Sequence, residues 1–186
     1  MVQNFDLSSL AEDGNLLQRR LGERAFLLSK RELWKLPPGG VLFLDFRKIK
    51  CATSTFLVEI LRIFEEAKNA EYEGKNLLLR LDLRKGDFVD CLNLVIKERG
   101  IVLPAIDERG EWMLLGELSK ALRETLELIR ERGEITSNQI GSHFDIPISA
   151  ASNRLKQLYQ LRLISRKEET ISESGGWQFV YTPLVV

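Results

Sequence analysis

Apolar residues change their spacing several times along the chain, and each change marks a predicted element. In residues 16–33, Leu17, Leu21, Ala25 and Leu28 recur at helical spacing until Pro37, Pro38, Gly39 and Gly40 stop the pattern. Residues 41–46 (VLFLDF) are apolar without alternation, which suits an interior strand covered on both faces. Leu57, Ile60, Leu61 and Phe64 then follow the i, i+3, i+4, i+7 rule, with Thr53 or Ser54 as N-cap. The order repeats with a strand at 76–83, a turn and cap at Gly86-Asp87, and a helix at 88–99 carrying Leu92, Val95 and Ile96. Residues 101–106 and 112–115 flank Asp107-Glu108-Arg109-Gly110 and read as a hairpin, with Pro104 expected on an exposed edge. Strand, helix, strand, helix implies βαβ crossovers, so the first part is a small mixed-sheet α/β sandwich.

The pattern changes after Gly116. Leu122, Leu126 and Ile129 give an amphipathic helix over 119–132, with Gly133 as a left-handed C-cap. Thr136-Ser137-Asn138-Gln139 fits a capping box, and Ile135 and Ile140 can add a hydrophobic staple, so a second helix starts at Thr136. It ends near Phe144, where Asp145-Ile146-Pro147 breaks it, and Ser149 is expected to cap a third helix whose Ala151, Leu155 and Leu158 line one face. Residues 163–170 and 177–182 read as two strands joined by a polar segment with Gly175-Gly176 at the turn. The fold class expected is α+β, with domains at 1–117 and 118–186.

Composition narrows the function classes. The 186 residues carry 27 basic and 27 acidic side chains, so any attraction to nucleic acid must come from a local patch. No run approaches the roughly 18 apolar residues of a membrane span, and residues 1–14 lack a basic start with a long apolar core, so a reducing cytoplasm is expected. Cys51 and Cys91 read as small buried apolar residues, and with His143 as the only histidine no metal cluster forms at standard spacing. His143, at the end of its helix, reads as a surface or phosphate-contacting residue. Gly74-Lys75 lacks the other Walker elements, and no nucleophile, base and orienting group assemble. The chain is therefore read as a non-enzyme without cofactor or metal.

The segment LFLDFRKIKCATSTFLVEILRIF resembles sulfate transporter and anti-sigma factor antagonist (STAS) domains. It is closer to the STAS-like variant, whose strand ends in Asp-Phe and whose helix opens Phe-x-x-Glu. Asp45-Phe46 and Phe56-Leu57-Val58-Glu59 match those positions, and Arg20-Leu21-Gly22 sits where such proteins carry an Arg near their first helix. The resemblance covers roughly residues 16–115. It implies a loop in which a partner kinase phosphorylates a serine, here Ser54, although Thr53 stands for the family's Asp and Phe56 for its Gly. Thr53, Ser54, Thr55 and Glu59 are the candidates for phosphorylation or partner docking. A helix N-cap role for Ser54 uses the same geometry, because a helix N-terminus also attracts phosphate.

Residues 134–182 resemble winged helix-turn-helix transcription regulators. Ser149, Ser152, Asn153, Lys156 and Gln160 form the polar side of the third helix, the inventory that reads base edges in a major groove. Asn153 is the favoured base reader. The interval 146–167 holds Arg154, Lys156, Arg162, Arg166 and Lys167 and no acid, a local basic patch. With Gln157, the candidate DNA contacts are Ser149, Ser152, Asn153, Arg154, Lys156, Gln157, Gln160, Arg166 and Lys167. Glu168, Glu169 and Glu173 lie close to the wing, and Arg162 replaces the usual Gly before the closing Leu-Ile. Trp177, Phe179 and Tyr181 alternate and read as core or as an interface on the neighbouring domain.

The resemblances imply a prokaryotic regulator that binds duplex DNA, as a homodimer, through the winged helix. The STAS-like domain would receive a signal or a partner such as a kinase-like ATPase or an anti-sigma-type protein. The alternative is a protein-protein interaction module of a partner-switching system without DNA binding.

Overall fold

Helices carry the chain back between neighbouring parallel strands through most of its first 117 residues. The elements there are β1 (Val2–Asp6), β2 (Asn15–Leu16), α1 (Arg19–Lys35), β3 (Val41–Asp45), β4 (Cys51–Ala52), α2 (Ser54–Glu66), β5 (Asn76–Arg80), α3 (Gly86–Arg99), β6 (Leu103–Ile106) and β7 (Trp112–Leu115). They belong to a computed structural model that describes residues 1–170 and 176–184. The chain divides into two compact units, Met1–Glu117 and Leu118–Val186, and its class is α+β.

The main sheet of the first unit has the order β1-β3-β5-β6-β7, parallel throughout except for antiparallel β7. All five β3 residues are buried, as the unbroken apolar run predicts. Alternate side chains Leu42, Leu44 and Phe46, with Leu77, Leu79 and Leu81, join α1, α2 and α3 in one core. At 25 cal/mol per Å2 of apolar surface removed from water, each such side chain contributes about 1.5–3 kcal/mol against the entropy of ordering the chain.

Helix α1 differs from its apolar pattern. Its buried stripe is Gly22, Ala25, Ser29 and Leu33, while Leu17, ahead of the helix, is exposed. Small residues are needed because α1 and α2 pack at backbone contact: a Cβ on Gly22 would lie 2.6 Å from the Phe56 carbonyl oxygen and 2.9 Å from Glu59 Cβ. Strand β1 is an addition to the sequence reading. It has only partial apolar alternation and is held at the sheet edge by polar side chains, Asn4 donating to Asp45 at 3.0 Å and Gln3 to Glu32 at 2.5 Å.

Three further expectations are corrected. Pro104 is buried on an interior strand; the registered pairing of β6 with β5 begins at Ala105, so the missing N–H falls before that ladder. Helix α3 starts at Gly86 itself, with no side-chain cap from Asp87. Cys51 is exposed and Cys91 half-buried, since β4 is a two-residue strand that turns only Ala52 inward.

Thr53 is the cap of α2. Its Oγ1 accepts from the Phe56 N–H at 3.3 Å and donates to the Leu17 carbonyl at 3.2 Å, leaving Ser54 as an exposed first helical residue. Thr55 is also exposed, its Oγ1 3.0 Å from that of Thr53. Glu59, by contrast, is buried. Its side chain is 5% exposed, with Arg19 at 2.6 Å and Arg62 at 2.8 Å.

Glu59 and Asp82 sit below the ordinary carboxylate range, held there first by hydrogen bonds from Arg62 and Arg84 respectively. The unfolded chain binds both protons more readily than the folded chain. The resulting stability is fully present above an unfolded pKa of about 4 and is lost as pH falls through the lowered folded values. The urea midpoint is expected to hold between about pH 7 and 5 and to fall below about pH 4. A midpoint that stays flat to about pH 3 would contradict these pairings.

The second unit contains α4 (Lys120–Arg132), α5 (Ser137–Phe144), α6 (Ile148–Gln160), β8 (Ile164–Thr170) and β9 (Trp177–Pro183). Ser119 caps α4 by accepting from the Leu122 N–H. Gly133 ends it at φ 80° and ψ −52°, a positive-φ cap outside the left-handed helical region. The capping box on α5 is present, with the Gln139 N–H donating to Thr136 Oγ1 and the Thr136 N–H to Gln139 Oε1. Ile135 and Ile140 are both buried, and Ile135 bridges Tyr181 by two backbone hydrogen bonds of 2.9 Å.

Asp145 closes α5 in the left-handed region, and three residues later α6 begins. Its cap position is taken by Pro147, without a side-chain bond, so Ser149 lies inside the first turn and is not the cap. Ala151, Leu155 and Leu158 are buried as expected. Arg162 adopts φ 57°, a conformation that a glycine would hold at lower cost. Strands β8 and β9 pair antiparallel from Ile164↔Pro183 to Thr170↔Trp177. Glu173 and Gly175 of the expected wing turn lie outside the described residues.

Candidate nucleic-acid interface

At 3.6 residues per turn, Ser149, Ser152, Asn153, Lys156, Gln157 and Gln160 share the side of α6 opposite its buried Ala151, Leu155 and Leu158. All are exposed except half-buried Ser152. Asn153 and Lys156 make no hydrogen bond or ion pair to another described residue, so their donors are available to a ligand.

Ser152, Asn153 and Lys156 form one wall of an open groove of about 540 Å3. A second wall comes from Ser137 and Asn138 in the first turn of α5. The third is β9, through Trp177, Phe179 and Tyr181. These aromatic rings are graded from exposed Trp177 (65%) through half-buried Phe179 to buried Tyr181, in edge-on contact at centroid distances of 5.1 and 6.3 Å. Their alternation is visible in the sequence. Of the core or interface expected for them, Tyr181 belongs to the core, while Trp177 is exposed at the far end of the strand.

The other predicted cations are placed differently. Arg166 lies between two rings, its guanidinium carbon 4.2 Å from the Tyr159 centroid and 4.4 Å from that of Phe179, and it also hydrogen-bonds Tyr181. Lys167 is bound by Glu134 and Glu169, each at 2.8 Å, and its ammonium pKa is raised, first by Glu134. Arg154 turns away from the groove to the Phe144 ring of α5, 5.2 Å to the centroid. Among the described residues of the basic interval, Lys156 and the ring-stacked Arg166 line the groove, Lys156 standing beside Asn153.

Arg166→Ala is expected to lower the stability of the second unit by about 1 kcal/mol, and Arg166→Lys is not expected to restore it, since an ammonium cannot stack between two rings. Thermal unfolding followed by circular dichroism measures this. Parent-like melting of Arg166→Ala would mean that the stack carries no weight.

His143, exposed, faces Arg132 with Nδ1 3.3 Å from its Nη2 and stands edge-on to Phe144. Among the described residues, no group of three or more His, Cys, Asp or Glu side chains is placed to hold a metal ion, and no helix is long and apolar enough to cross a membrane.

No protein-family model matches the sequence. An uncharacterized protein of Methanocaldococcus jannaschii is 40% identical to it over 58 residues, a match covering 31% of this chain and 48% of the relative. The chain thus spans about half of that relative's length.

Proposed function

We propose that the chain is a transcription regulator of the winged helix-turn-helix kind, binding duplex DNA through α6, with a STAS-like first unit as receiver of a signal or partner. The observation that carries this reading is the polar side of α6, where Asn153 and Lys156 stand exposed, without a partner among the described residues, one helical turn apart. A three-residue turn at 145–147 precedes that helix and the β8–β9 hairpin follows it. In this reading α6 enters the major groove, Asn153 addresses an adenine edge, and Lys156 approaches a phosphate. A homodimer would place two such helices on half-sites about one helical turn apart. In the first unit, exposed Ser54 at the start of α2 is the position for a phosphoryl group or a partner, with Thr53 holding the helix end.

A second reading is favoured by Trp177: a large, exposed aromatic residue is also what a protein partner would bury. In that reading the groove docks a protein of a partner-switching system and DNA is not a ligand. Selection from random duplexes with the full chain separates the two. DNA binding predicts enrichment of a defined site, palindromic if the chain dimerises. Retention of no duplex at low salt sinks the first reading and leaves the second.

A further inference from the structure

The two cysteines lie on adjacent elements of the first unit. Cys51 is exposed on β4, and Cys91 is half-buried on α3, which packs against that strand. The Cys91 thiol donates to the carbonyl of Ala52, the neighbour of Cys51, at 3.5 Å. Burial pushes the Cys91 thiol up, and Cys51 adds to the rise.

We propose that Cys51 and Cys91 are a peroxide-oxidised modification site that closes to an intramolecular disulfide. The division of roles follows exposure. Cys51, open to solvent, attacks one peroxide oxygen as its thiolate; the O–O bond breaks and the sulfur becomes a sulfenic acid, with hydroxide leaving as water after protonation. Cys91 then loses its proton and attacks the Cys51 sulfur; the S–O bond breaks and a second water leaves. Two thiols and one hydrogen peroxide give one disulfide and two waters, sulfur being oxidised and peroxide oxygen reduced. The raised thiol of Cys91 keeps that sulfur protonated and protected from direct oxidation, so Cys51 reacts first and Cys91 gives up its proton only in the second step. The bond pins α3 to β4, one residue before Ala52 and two before the Thr53 cap of α2. Oxidation would thereby tie down the segment that presents Ser54.

The test uses the full chain treated with hydrogen peroxide, blocked with iodoacetamide and digested with trypsin without reductant. Cleavage after Lys50, Arg62, Lys85 and Lys97 places Cys51 in peptide 51–62 and Cys91 in peptide 86–97. The expected product is these two peptides joined, two hydrogens lighter than their sum, from a chain that runs at single-chain mass on a denaturing, non-reducing gel and is restored by dithiothreitol. Cys91→Ser should leave Cys51 to proceed to the sulfinic acid. The proposal is overturned if Cys51 reaches the sulfinic acid in the parent while Cys91 is alkylated. It is equally overturned if the crosslink joins two chains, or if Cys91→Ser leaves the oxidation products of Cys51 unchanged.

Discussion

Gly22→Ala is expected to destabilise the first unit by about 1–3 kcal/mol, the usual cost of forcing extra volume into a packed core. The added methyl would meet the backbone oxygen of Phe56 at 2.6 Å and Glu59 Cβ at 2.9 Å, so relief requires α1 and α2 to separate and no side chain can simply rotate away. Separation also lengthens the Arg19–Glu59 pair that spans the same contact. Gly86→Ala is the matched control. Nothing lies within 4 Å of a Cβ at Gly86, the first residue of α3, and alanine favours the helix by up to about 1 kcal/mol. Urea unfolding of both variants decides the point: equal midpoints for parent and Gly22→Ala would mean that the helices do not meet at backbone contact.

The second large effect is expected on the polar side of α6. Asn153→Ala should weaken binding to the selected duplex by about 1–3 kcal/mol, roughly 5- to 150-fold, and relax preference at one base pair. Lys156→Ala should weaken binding to all sequences alike and lower the salt slope by about one. Neither side chain has a described partner inside the protein, so both variants should melt like the parent. Loss of affinity accompanied by a lower melting point would instead point to damage of the fold.

Much of this arrangement was legible in the chain because local signals and tertiary demands agree. The Thr136/Gln139 box, the Ile135/Ile140 pair and the Ala151/Leu155/Leu158 face each express one mechanism at fixed spacing, and each is present. Misreadings arose where a distant partner decides the outcome. Apolar periodicity locates Leu17, Leu21, Ala25 and Leu28 in the helical stripe; Ala25 is buried as expected, yet close helix packing selects Gly22 and Ser29 beside it. Strand β1 is held by Asn4 and Gln3 bonding to Asp45 and Glu32, contacts 41 and 29 residues away that leave no local pattern. At the groove, charge counting treated Arg154, Lys156, Arg166 and Lys167 as equivalent. Rings of Phe144, Tyr159 and Phe179 and the carboxylates of Glu134 and Glu169 occupy three of them, which only the fold reveals.

The most direct measurement of the central claim is a fluorescence anisotropy titration of a labelled duplex with the full chain, repeated at two salt concentrations and against the single strand of the same sequence. DNA binding through Lys156 and Arg166, both on the groove, predicts saturable binding of the duplex that weakens roughly tenfold for a fourfold rise in salt, with weaker binding of the single strand. An anisotropy that stays flat at low salt, or a single strand bound as tightly as the duplex, would contradict it.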